Sequence, residues 1–202
     1  MMRITDYKMT KQGRVALFVD GEFLLSVHPD TFAAMELSVG CELDEDALQE
    51  LEAQTELKKA KNKALTLLSY KEYTSHQLEE RLKRHVESDA AQQAVERMEE
   101  LGLVDDDDYA IRFARDLSQR KHYGVLRIRQ EMRRRGLSDD QIEYAVSLLD
   151  ADPVEQVREL LEKKYPMAWE DEKVKKRAFS AMMRRGYRAD DVRHALRLEE
   201  DY

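Results

Sequence analysis

Two kinds of hydrophobic spacing divide the chain. Up to about residue 56 the apolar residues come in short runs, ITDYKMT, RVALFVD and EFLLSV, punctuated by Gly13 and by the pair Asp20-Gly21. Such runs are β-prone, and Asp-Gly between two of them predicts a tight hairpin, because glycine accepts the positive φ of two-residue turns. HPDTFAAMEL predicts a short helix started after Pro29 and ended by Gly40; a brief extended CEL follows, and Asp44 caps a helix over DEDALQELEAQTEL. From about Lys58 the apolar residues recur three and four apart, the spacing of one helix face. Helices are predicted over 58–71, 74–85, 88–101, 106–120, 124–135, 138–149, 153–164, 171–185 and 189–199. Gly102, Gly136 and Gly186 follow helical runs, where a left-handed residue closes the last turn, and Ser88, Asp105 to Asp108 and Ser138 stand where N-caps belong.

Gly136 and Gly186 lie 50 residues apart, and setting them in register aligns EMRRRGLSDDQIEYAV with SAMMRRGYRADDVRHAL. Met132 falls on Met182, Arg134 and Arg135 on Arg184 and Arg185, and Ile142 on Val192. A weaker copy begins at TSHQLEERLKRH, with Leu78 and Leu82 on Ile128 and Met132. These are internal repeats, each read as three helices whose last two resemble a helix-turn-helix. The expected fold is mainly α: three tandem three-helix repeats stacked into an elongated, curved body, preceded by a small β-rich domain. The boundaries read as 1–56 for the acidic β-rich domain and 57–103, 104–150 and 151–202 for the repeats.

Composition sharpens this picture through where the charge sits. Of 202 residues 38% are charged and the net charge is −8, all of it carried by residues 1–56. Residues 111–136 carry a local net of +7 and residues 171–188 a net of +5. Stripes of one sign select partners more than totals do. The opening MMRITDYKMTKQGR has no apolar run after its charges, so no signal peptide is expected, and no stretch approaches the ~20 apolar residues of a membrane span. A single cysteine, Cys41, leaves no internal disulfide and fits a reducing, cytoplasmic setting.

In the helix 124–135, Val125, Ile128 and Met132 define the buried face, so Arg127, Gln130 and Arg134 fall opposite, with Arg129 and Arg133 in a second outward row. Arginine grips phosphate or carboxylate with a planar fork that lysine lacks, which makes this row a candidate binding face. Arg112 and Arg115 on the preceding helix, then Arg120, Lys121 and Tyr123 in the loop after it, extend the candidate; Tyr123 could equally pack beneath the loop. Arg184 and Arg185 join by register. Asp105 to Asp108 read as a helix cap complementing the dipole rather than a metal site. Five scattered histidines and one cysteine build no zinc site, and no phosphate-binding loop or catalytic triad is present, so neither an enzyme nor a cofactor is expected. Eight carboxylates between Glu36 and Glu56, without a basic residue among them, form a solvated face or a DNA-like surface.

The stretch GLVDDDDYAIRFARDLSQRKHYGVLRIRQEMRRRGLSDDQIEYAV resembles the RecX family, with its acidic pair before Tyr-Ala, a Phe and an Arg in that helix, then Tyr-Gly, Arg-Ile and a Gly-Leu-Ser turn. The likeness continues through KRAFSAMMRRGYRADDVRHAL and back to LLSYKEYTSHQLEERL, about residues 60 to 200. In the first repeat HVES stands where the family usually has a glycine turn. The resemblance implies a cytoplasmic regulator that binds the RecA–DNA filament in its groove; no dimerisation segment stands out in the chain, so a monomer is expected. It would inhibit ATP hydrolysis, strand exchange and coprotease activity, and so act in DNA repair and the SOS response. The alternatives are a helix-turn-helix protein acting directly on DNA and a scaffold module. The outward residues are mostly Arg and Lys rather than the Asn, Gln and Arg set of base-reading helices, which favours phosphate-type contacts and weak, non-specific DNA binding.

Overall fold

The computed structural model describes residues 2–197. Four strands, β1 (Met2–Met9), β2 (Val15–Val19), β3 (Glu22–Val27) and β4 (Glu42–Leu43), form an antiparallel sheet in the order β3-β2-β1-β4. The Asp20-Gly21 hairpin forms as predicted, with φ of 50° and 84° at its two residues. Ile4, Val15, Leu17 and Val27 point to one side and pack with Leu37, Leu43 and Leu51. The short helix α1 (Pro29–Ala34) stops well before Gly40: Glu36 takes the left-handed conformation at φ 49°, and Gly40 instead turns the chain into β4.

The segments 44–57 and 58–71 are one helix, α2 (Glu45–Leu68), capped by the Asp44 carboxylate on the Ala47 amide at 2.8 Å. No Gly or Pro interrupts it. Leu51 is buried with the sheet residues and Thr55 is buried one turn on, whereas Ala60 and Ala64 are buried among the first-repeat residues. At about 100° per residue these two pairs lie on opposite sides of the helix. The apolar stripe therefore changes sides halfway along, and the broken periodicity reads as a break in the helix.

Helices α3 (Ser75–Leu82) and α4 (Ser88–Glu100) complete the first repeat, whose core holds Ala60, Ala64, Leu78, Leu82, Ala91, Ala94 and Met98. Glu87 rather than Ser88 occupies the N-cap of α4, and it makes no side-chain cap bond. The HVES turn closes without a left-handed residue, through the amides of His85 and Val86 on the Leu82 carbonyl. The second repeat comprises α5 (Asp106–Gln119), α6 (Val125–Arg133) and α7 (Asp139–Ser147) around Ala114, Ile128, Met132 and Ile142. Ser138 and Gln141 form a reciprocal capping box at the start of α7. The third repeat comprises α8 (Pro153–Lys164), α9 (Glu172–Arg184) and α10 (Ala189–Leu196), with a 3-10 turn at Pro166–Trp169 that the sequence pattern did not announce. Positions 198 and 199 of the predicted last helix lie outside the described residues.

The chain divides into two compact units. One holds residues up to Tyr73 and Leu78–Val104; the other holds Thr74–Gln77 and the described residues from Asp105 onward. The boundary thus falls inside α3, whose first turn packs with the second repeat. No helix among the described residues is long and apolar enough to cross a membrane.

Candidate binding surface on the second and third repeats

The start of the middle helix in one repeat docks against the glycine turn of the next. At the first such joint the Thr74 hydroxyl donates to the Arg135 carbonyl at 2.6 Å, and the Ser75 amide and hydroxyl both donate to the Asp106 carboxylate, at 2.9 and 2.5 Å. At the second, 50 residues on, the Gly124 amide donates to the Arg185 carbonyl at 2.9 Å and the Leu126 amide to the Gly186 carbonyl at 3.1 Å. A Cβ on Gly186 would collide with the backbone of Arg127, and one on Gly136 with the His76 side chain. Both turn glycines also hold positive φ, 80° at Gly136 and 86° at Gly186.

These joints redefine two of the predicted site residues. Arg185 is turned inward: its guanidinium donates to the carbonyls of Lys121 and His122 at 3.0 and 3.4 Å and so fixes the loop that carries Lys121 and Tyr123. Its register mate Arg135 likewise donates to the Tyr109 hydroxyl at 2.5 Å and lies 3.9 Å from the Phe113 ring centre. Arg127 is not on an open face. It is half-buried at the joint, its guanidinium 5.6 Å from the Tyr123 ring centre, and its Nε is buried without a hydrogen-bond partner. Tyr123 itself is half-buried against the second-repeat core.

Much of the remaining second-repeat cationic row is answered from within. Glu131 holds Arg127 at 2.7 Å and lies 3.6 Å from Arg134. Glu143 on α7 takes a two-pronged grip from Arg129, at 2.7 and 2.6 Å, and Asp139 meets Arg133 at 3.0 Å. The Arg129 hydrogen bond holds the Glu143 carboxyl below its ordinary pKa, against the opposing effect of desolvation, and the same bond raises that of Arg129. On α5, Arg112 pairs with Asp108 at 2.8 Å and Arg120 with Asp116 at 2.9 Å. Ile128 and Met132 are buried as expected, while Val125 is only half-buried.

Arg115 and Arg184 are exposed and carry no ion pair among the described residues, and Lys121 is exposed in its loop. On α9 the exposed cations Lys173, Lys176 and Arg177 share that state. Sequence reasoning counted these three in the local charge but did not single them out. The signal was available, since the 50-residue register places Arg177 on Arg127. In the same unit Tyr187 is buried, donates to the His122 carbonyl at 3.3 Å, and has its hydroxyl pKa pushed up to about 12 by burial. No group of three or more His, Cys, Asp or Glu among the described residues is arranged to hold a metal ion.

Three family models match in tandem: the first three-helix domain of RecX over residues 60–98, the second over 105–146 and the third over 150–196. A regulatory protein RecX of Caldanaerobacter subterraneus is 29% identical over 95% of this chain and 96% of its own length. One from Trichlorobacter lovleyi is 36% identical over 64% of this chain and 88% of its own. The fold is shared with a crystal structure of a regulatory protein RecX at a TM-score of 0.73, with 20% identity over 98% of this chain and 100% of that one. It is shared too with RecX from Lactobacillus salivarius, at a TM-score of 0.63 with 23% identity over 70% of this chain and 95% of that one. With three RecX domains in order on its three helical repeats, the chain belongs to the RecX family of regulatory proteins.

Proposed function

We propose that this protein regulates RecA: it binds the RecA filament assembled on DNA, as a monomer in the cytoplasm, and inhibits recombinase, ATPase and coprotease activity. Its place is then in DNA repair and the SOS response. The observation that carries the reading is the unbroken tandem of three RecX domains, from residue 60 to residue 196. The chemistry is that of a binding protein. Helices joined through glycine turns present arginine and lysine on exposed faces, and such groups engage carboxylates and phosphates with geometric selectivity. Arg112, Arg115, Arg120, Lys121, Arg133, Arg134 and Arg184 are the exposed cations assigned to the partner surface. Arg127, Arg129, Tyr123 and Arg185 support it from joints and pairs. The test is co-sedimentation of the full chain with RecA assembled on single-stranded DNA, against RecA alone and DNA alone, together with the rate of RecA ATP hydrolysis. Preferential retention by the filament and a concentration-dependent fall in hydrolysis are expected. Equal retention by bare DNA with unchanged hydrolysis would favour direct action on DNA instead.

A further inference from the structure

α9 buries Ala178 and Met182, with Val174, Phe179 and Ala181 half-buried beside them. Lys173, Lys176, Arg177, Ser180 and Arg184 are all exposed. Their spacing puts them on one stripe along the opposite side of the helix, successive neighbours about 5–6 Å apart. Among the described residues none of the four cations has a carboxylate partner. The acids nearest the start of the helix are engaged, Asp171 as cap to the Lys173 and Val174 amides and Glu172 with Lys175 at 2.9 Å.

The register with α6 shows how this state arises. Arg177 and Arg184 stand where α6 has Arg127 and Arg134, but Glu131, which neutralises both of those, is replaced by Ala181. Asp139 and Glu143, which hold Arg133 and Arg129, are replaced by Ala189 and Arg193. The same scaffold thus carries a self-satisfied basic helix in one repeat and an unsatisfied one in the next.

We propose that this α9 stripe, Lys173, Lys176, Arg177 and Arg184 with the Ser180 hydroxyl between them, is a site for the phosphate backbone of a nucleic acid, bound by the chain without any protein partner. Lys, Arg and Ser are among the side chains that contact phosphate oxygens, and such contacts do not read sequence. An acidic protein surface fits less well. Interface centres are depleted in lysine and built on desolvated aromatic or apolar anchors, and the stripe has none, Met183 lying at its border with 37% exposure. The site shares Arg184 with the surface assigned to the filament, but it is tested on nucleic acid without RecA, so its failure and that of the filament reading are distinguishable.

The experiment is fluorescence anisotropy of the full chain with labelled oligothymidylate and with a mixed-sequence duplex, across a salt series. Wild type is expected to bind both without strong sequence preference, with affinity falling steeply as salt rises. Each lost phosphate contact should reduce the log–log salt slope by about 0.7 on single strands and about 0.9 on duplex. The triple variant Lys176→Ala, Arg177→Ala, Arg184→Ala should therefore lower the slope by about 2 on single strands and nearer ~3 on duplex, and weaken binding about tenfold or more at low salt. The control pair Lys83→Ala, Arg97→Ala, whose cations lie outside the assigned surface and are paired with Glu79 and Glu100 at 2.7 Å each, should change both far less. No wild-type binding at low salt overturns the site, as does a triple variant with wild-type circular dichroism and an unchanged slope. A triple variant that keeps DNA but loses RecA in the absence of DNA overturns it in favour of an acidic protein surface. Failure of ATPase inhibition with α9-dependent DNA binding intact would count against the proposed function alone.

Discussion

α6 and α9 occupy the same place in consecutive repeats, 50 residues apart, and their arginines end in different chemical states. On α6, Arg127 and Arg134 share Glu131, Arg129 is gripped by Glu143 and Arg133 by Asp139, while the first turn is pressed against the Gly186 turn of the next repeat. On α9 the corresponding acids are gone and Lys173, Lys176, Arg177 and Arg184 face solvent. Local charge ranks the two regions the other way, +7 around α6 against +5 around α9. Counting charges therefore finds basic segments, but the count of available cations depends on which carboxylates the fold brings within reach.

The joint that makes α6 a clamped element is where the largest effect is expected. Gly186→Ala adds left-handed strain, about 1–2 kcal/mol, and drives a methyl group into the Arg127 backbone, an overpacking that costs a further 1–3 kcal/mol or so. Thermal unfolding of the variant should start roughly 5–15 °C lower. Gly102→Ala is the control: φ is 66° there, yet nothing lies within 4 Å of the added carbon, so only the strain remains. If the two variants unfold together, the close approach at Gly186 contributes nothing to stability.

Second in size is the contrast between register mates. Arg127→Glu sets a carboxylate beside Glu131 in a half-buried joint and should destabilise by about 1–2 kcal/mol. Arg177→Glu, on the open stripe, should stay within about 0.5 kcal/mol of wild type. Urea unfolding midpoints measure both. Equal midpoints would mean that Arg127 is as free as Arg177.

A reciprocal swap sharpens the comparison further at a smaller scale. Glu131→Gln releases Arg134 and should raise affinity for oligothymidylate about two- to fivefold, the worth of one added exposed charge contact. Ala181→Glu, placing in α9 the acid it lacks, should lower affinity by a similar factor. Salt titration separates this from a folding defect, because the slope moves with the number of free cations. Unchanged affinity in both would show that pairing does not set availability.

The strands, the Asp20-Gly21 hairpin and nearly every helix of the repeats were legible because each follows from local spacing or turn chemistry. α2 was misread since its buried stripe serves two cores on opposite sides, a property of tertiary packing that no window of sequence contains. The candidate surface was legible only as a set of basic segments. Arg185 looked like a mate of the exposed Arg184, and its true role depends on carbonyls at Lys121 and His122, more than sixty positions away. The joint residues Thr74, Ser75 and Asp106 looked like ordinary helix starts, because the partners of Thr74 and Ser75 also lie a repeat away.

The smallest effect comes from the pair that most fully neutralises α6's second row. Glu143 has its pKa lowered in the folded state, chiefly by the Arg129 hydrogen bond and further by the charges of Arg129 and Arg133. A carboxyl whose folded pKa lies below its unfolded value stabilises the fold above the unfolded value, near 4.3 for glutamate. That contribution is lost as pH falls through the unfolded value and then the folded one. Wild type should consequently lose more stability than Glu143→Gln between about pH 6 and pH 3.5. The difference should be slight, because the Glu143 side chain is 54% exposed and water screens the pair. It should shrink further at high salt. Asp30 also has a lowered pKa, through Lys58, but it is present in both proteins and cancels in the comparison. Melting temperatures taken across this range at low and high salt give the answer. Parallel acid limbs for the two proteins at low salt would mean that the Arg129–Glu143 contact leaves Glu143 titrating as it does in the unfolded chain. Arg129 would then belong with the available cations of α9 rather than the satisfied ones of α6.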